Sequence, residues 1–183
     1  MQKTLSKIAL PLGLIIMAII ARLIPHAPNL APIAALALLG GASYKFPKSL
    51  FLPLGAMAIS DTVIGFSPWP ITLSVYGSFA IITMLGAFLR QPKLWKLPVS
   101  ALSSSLLFYV VTNFSVWLTS GMYQLSFSGL IACYVNAIPF LQNTIISDIA
   151  YTVVLFTVIH NCVPQFFAIN SRTSSNCPSY ENS

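Results

Sequence analysis

The chain is poor in charge, and poorest in acids. Of 183 residues only three are Asp or Glu, nine are Lys or Arg and two are His. A soluble domain has about a quarter of its residues charged; this chain, 7% charged and 56% hydrophobic, cannot clothe such a surface. That excludes a soluble enzyme and points to a polytopic membrane protein. Cysteine is also scarce: Cys133, Cys162 and Cys177 form no C-x-x-C pair, which argues against a zinc site and a disulfide framework. No Walker motif occurs, so any ATP hydrolysis belongs to a partner. The net charge of +6 does not indicate nucleic acid, because the basic residues sit in small clusters between apolar runs, as in the cytoplasmic loops of membrane proteins.

What the chain has in quantity is long apolar runs. Six are read as transmembrane helices, over 8–24, 30–44, 49–66, 71–89, 97–118 and 143–163, each judged against a hydrocarbon core of about 30 Å. Pro11 falls in the first turns of the first run, and Pro25 and Pro28 stop it, since proline removes a helix donor. The second run is short and rich in Ala and Gly, and its Ala37 and Gly41 form a small-xxx-small pair that permits close helix approach. Residues 129–140 are too few to cross and end at Pro139, so they read as a re-entrant or interfacial helix before the last span. The first run is read as retained, because no small-x-small cleavage site follows it. Residues 1–163 thus form one six-span domain, and 164–183, rich in Ser and Asn, a disordered cytoplasmic tail.

Six spans put Lys3, Lys7, Lys45, Lys48, Arg90, Lys93, Lys96 and Arg172 on one side and Arg22 alone on the other. The positive-inside rule then makes both termini cytoplasmic, in a bacterial inner membrane. With this orientation Arg22, His26, Asn29, Asp61, Asn113, Asn143 and Asp148 come from five segments, yet each falls at or near an outer helix end. An ionisable residue inside a hydrophobic run is costly unless it faces a bundle interior, a cavity or a partner. The pattern predicts a substrate-binding pocket open to the outside and closed toward the cytoplasm, with Arg22 meeting an anionic or carbonyl group and Asp61 orienting it or binding ligand donors. Plainer roles exist for each residue. Arg22 can snorkel to headgroups, His26 can sit at the interface or cap a helix, either aspartate can pair with Arg22, and Asn113 and Asn143 can bond helix to helix. Cys133 can meet a soft metal in a ligand or be a buried inert thiol. No Ser, His and acid set can be assembled, since His160 lies near the cytoplasmic end of the last span; a non-catalytic protein without a cofactor or resident metal is expected.

The run Arg22-x-x-Pro-His-x-Pro-Asn29-x-x-Pro-x-x-Ala-x-Ala-Leu-x-Gly-Gly-Ala42 resembles the N-terminal signature of an uncharacterised family of small bacterial integral membrane proteins. Ser60-Asp61, Tyr76-Gly-Ser78, Thr112-Asn-Phe114 with Trp117, Ala132-Cys-Tyr134, Ile138-Pro-Phe140 and Asn143-Thr with Asp148 continue the resemblance in order. In size and layout that family is similar to the substrate-binding S components of energy-coupling-factor vitamin transporters. The resemblance implies an all-α S-component-like bundle that captures a small, vitamin-like micronutrient outside and releases it inward, docked on a coupling protein and paired ATPases. Such subunits dock through an Ala-x-x-x-Ala stripe on the first span, which Ala9 and Gly13 approximate here, so a solitary transporter stays open. The alternative is a non-catalytic membrane scaffold or assembly factor.

Overall fold

Proline and glycine punctuate the apolar sequence, and the helix boundaries follow them. The computed structural model describes residues 2–24, 29–90 and 93–162, and its regular structure is helical throughout. The elements are α1 (Gln2–Leu23), α2 (Ile33–Ser43), α3 (Phe51–Ile64), α4 (Trp69–Gly86), α5 (Lys96–Thr119), α6 (Phe127–Asn136) and α7 (Ile138–Cys162), with single 3₁₀ turns at Lys48–Leu50 and Ala87–Leu89. His26 and the tail at 164–183 lie outside the described residues.

Three stretches are long and apolar enough to cross a membrane: Trp69–Leu89, Lys96–Thr119 and Ile138–Ile159. Helix lengths do not carry the expected six spans. The second run forms an 11-residue helix and the third a 14-residue one, short of the about 20 residues a hydrocarbon core requires; α6, expected to be too short to cross, has 10 residues. All 11 residues of α2 are buried. Its small side chains let α3, α4, α5 and α7 close around it, so α2 is the centre of the bundle rather than a lipid-facing span. Two proline readings also change. Pro139 does not close the helix before it; α6 ends at Asn136 and Pro139 lies in the first turn of α7, where a missing N–H costs least. Pro11 lies inside α1, which begins at Gln2.

The polarity of α5 is reversed from that of a helix in a soluble protein. On α5, Val99, Leu102, Leu106, Val110, Phe114 and Leu118 are exposed at intervals of three or four residues, an apolar stripe on one face. The inward face of the same helix carries Ala101, Ser104, Ser105 and Ser115. Buried hydroxyls are bonded within their own helices, Ser60 to Ala56 O, Thr83 to Phe79 O, Ser104 to Ser100 O and Thr144 to Phe140 O. These four hydroxyls are thereby satisfied without water, whereas the buried Ser43, Ser147 and Thr152 hydroxyls have no hydrogen-bond partner among the described residues.

Backbone contact between α2 and α4 sets the spacing of the bundle. A Cβ added at Gly41 would lie 1.8 Å from Thr83 O, and one added at Gly86 would lie 2.2 Å from Leu38 O. Neither obstacle is a flexible side chain that could swing away. The small-residue pair Ala37 and Gly41 therefore does permit a close approach, with Ala37 fully buried. Replacing Gly41 with Leu is expected to destabilise the protein by at least the upper end of the about 1–3 kcal/mol typical of overpacking. A lowered thermal transition in detergent, absent from Gly55→Leu where no atom lies within 4 Å, checks this.

Candidate functional site

Local sequence brings three polar side chains to one end of the bundle. Arg22 occupies the last turn of α1. Asp61 lies one turn before the end of α3, which stops because Gly65, at φ 101°, donates its N–H to Asp61 O at 2.9 Å, a left-handed conformation that glycine adopts freely. Tyr76 stands in the first half of α4, whose start is fixed by Pro68 and Pro70. Arg22 Nη2 donates to Asp61 Oδ1 at 2.7 Å, and the Tyr76 hydroxyl donates to Asp61 Oδ2 at 2.8 Å. One carboxylate thus joins α1, α3 and α4. The Arg22 and Asp61 side chains are 20% and 11% exposed, and Arg22 Nη1 is buried without a partner.

This cluster forms one wall of a cavity of about 370 Å³. Ile64, Gly65 and Ser67 stand at its exposed mouth. The Phe79 and Phe108 rings, 5.1 Å apart, give it an apolar aromatic side. Thr144 and Asp148 of α7 form a further polar wall. Asp148 is 3% exposed and accepts a hydrogen bond from Ser105 Oγ at 2.7 Å. A second cavity of about 320 Å³ adjoins the first, sharing Asn29, Phe108 and Thr144 with it and extending past Tyr109, Thr112 and Asn113. Asn29 reaches both from a φ of 66°, a region that asparagine tolerates better than most residues. The first cavity lies where α1 and α3 finish and α4 and α7 begin, and the connections bearing Lys45, Lys48, Arg90 and Lys93 lie at the other end.

Four of the expected site residues, Arg22, Asn29, Asp61 and Asp148, line the first cavity. Asn113 lines the second, where its Nδ2 donates to Tyr109 O at 2.8 Å. Asn143 lines neither; the next residue, Thr144, lines both, because one helical step turns a side chain by about 100°. The position of His26 lies outside the described residues. Arg22 pairs with Asp61, so the alternative pairing with Asp148 does not form. Cys133 is a buried free thiol directed at Asn113 O, 3.5 Å away. Among the described residues no group of three His, Cys, Asp or Glu side chains could hold a metal ion.

Sequence reasoning missed Tyr76, Ser105 and Thr144 as site residues. A signal existed for Thr144, which precedes Asp148 by four residues and so shares its helix face. Tyr76 stands among Gly77 and Ser78 in an otherwise apolar run, but nothing local reveals that it faces Asp61.

Removing one member of the ion pair strands the other. Asp61→Ala leaves the Arg22 guanidinium without its carboxylate, and a loss of stability of about 3 kcal/mol is expected. The double variant Arg22→Met with Asp61→Ala recovers part of it. A double-mutant cycle on unfolding in detergent measures both, and strict additivity would show that the pair does not couple.

No curated protein and no solved structure matches the chain. A family model does match, over residues 2–169, nearly the whole length. The chain thus belongs to that family, a family of unknown function designated DUF6580.

Proposed function

We propose that this protein is a membrane-embedded, non-catalytic substrate-binding transport protein, similar to an energy-coupling-factor S component, that takes up a small, vitamin-like micronutrient. The observation that carries the reading is the cavity of about 370 Å³, in which an Arg–Asp–Tyr cluster and a buried aspartate stand around an apolar aromatic wall. The lining is close to evenly divided between polar and apolar side chains, and a concavity that sets placed polar groups against an apolar aromatic surface can orient a small molecule as well as bury it. The size suits a compact ligand, and the two adjoining chambers suit one with a polar head and a second part beyond Phe108.

In this reading the chain crosses a bacterial inner membrane six times, with both termini cytoplasmic. Lys45, Lys48, Arg90 and Lys93 then mark the cytoplasmic end, and the cavity opens at the outer end. The shorter helices complete their crossings with the 3₁₀ turns and loops that extend them, shielded from lipid by their neighbours. Ala9 and Gly13 lie on the exposed side of α1, with open space around Gly13, which supports docking on a coupling protein with paired ATPases through that face. Gly13→Leu is expected to abolish copurification with such a module while leaving ligand in the cavity; unchanged copurification assigns docking to another face.

Native mass spectrometry of the gently purified protein tests the central reading. A small molecule retained by the wild type and missing from a folded Arg22→Ala variant is the expected result. A scaffold reading draws on the Arg22–Asp61 pair, which ties α1 to α3 with no ligand needed. An empty wild-type protein held in an unrelated assembly would overturn the transport reading in its favour.

A further inference from the structure

Asp148 is the acid of the cavity to which the Arg22 cluster supplies no cation. It lines the cavity with Thr144, is 3% exposed, and its hydrogen bond comes from Ser105 Oγ at 2.7 Å. Ser105 Oγ also faces Ala101 O, 3.1 Å away. A serine hydroxyl owns one proton, so an ionised Asp148 and the Ala101 carbonyl compete for it. A proton on Asp148 Oδ2 removes the competition: the acid donates to Ser105 Oγ, and Ser105 donates to Ala101 O.

Among the described residues, the groups packed around Asp148 form no ion pair with it. Helix α2, which packs against α7, carries no titratable side chain. From α5 come Ser105 and Tyr109, whose hydroxyl donates to Tyr134 O. From α6 come Cys133, directed at Asn113 O, and Tyr134, whose hydroxyl donates to Val110 O. On α7 itself Tyr151 packs against the hydrophobic core. Across the cavity the Tyr76 hydroxyl and Arg22 Nη2 are held on Asp61, Arg22 Nη1 has no partner, and the guanidinium's ion pair is with Asp61 rather than Asp148. A lone carboxylate inside an apolar bundle is costly, and neutralisation by a proton is the usual remedy.

We propose that Asp148 is a proton-binding site of the cavity, protonated while the cavity is empty and exchanging that proton with the outer solution through the cavity mouth. The proton is then a second ligand of the site, and occupancy of the cavity is linked to pH on the outer side. This extends the binding reading but is measured without any organic ligand, so the failure of either can be told from the failure of the other.

The scarcity of acids makes the test direct. Asp61, Asp148 and Glu181 are the chain's only acidic side chains, so the infrared carbonyl stretch of a protonated carboxyl group can be assigned by substitution. In lipid nanodiscs at neutral pH, one such band is expected, shifted in D₂O, bleached in alkaline buffer, lost in Asp148→Asn and kept in Tyr76→Phe. Ser105→Ala removes the acceptor and is expected to move the band without abolishing it, which gives an answer even where Asp148→Asn fails to fold. A wild-type protein with no such band at neutral pH, a band that survives in Asp148→Asn, or one unmoved in Ser105→Ala would overturn the proposal.

Discussion

The closeness of α2 to α4 is the constraint on which the rest of the bundle depends. Gly41 and Gly86 bring the two backbones to a distance that admits no Cβ, and this lets an 11-residue helix be enclosed on every side. A short central helix needs no lipid-facing surface. Beside the start of α2, whose Ile33 and Ala34 line it, the ends of α1 and α3 and the starts of α4 and α7 surround a cavity.

The polar groups in that cavity stand in two different electrical situations. Asp61 receives a guanidinium and a phenol, one on each oxygen, so its charge is met within the protein. Asp148 receives a single hydroxyl. The first arrangement ties three helices together; the second leaves a carboxyl group tied to a neutral hydroxyl.

Much of this was legible because a membrane environment makes polar residues expensive. Arg22, Asn29, Asp61 and Asp148 stood out in apolar runs, and the pattern of basic loops placed them at one end; the structure brings these four to one cavity. Helix existence was equally plain, since apolar runs bounded by Pro and Gly leave little choice. Depth in the bundle was not. An apolar run reads the same whether lipid or protein surrounds it; the shortness of the second run argued for help from neighbouring helices, but not that all 11 residues of α2 would be buried. Register failed for a related reason: Asn143 and Thr144 are both polar, and only the packing of α7 decides that the threonine faces inward. Tyr76 was missed because its partner lies on another helix, 15 residues away in sequence.

The interior hydroxyls have a mechanical consequence. Ser60, Thr83, Ser104 and Thr144 each bond to a carbonyl of their own helix, so they supply polarity without latching one helix to the next. Neighbouring helices can slide or tilt past these positions without exchanging those bonds. Side-chain ties between helices are made by other groups: Arg22 and Tyr76 to Asp61 and Ser105 to Asp148 beside the cavity, Ser115 to Pro70 O between α5 and α4, and Tyr109, Tyr134 and Cys133 between α5 and α6. Of these ties, the ones made by Arg22, Tyr76, Asp61 and Asp148 belong to side chains that also line the cavity, so whatever changes the cavity lining changes how the helices are joined.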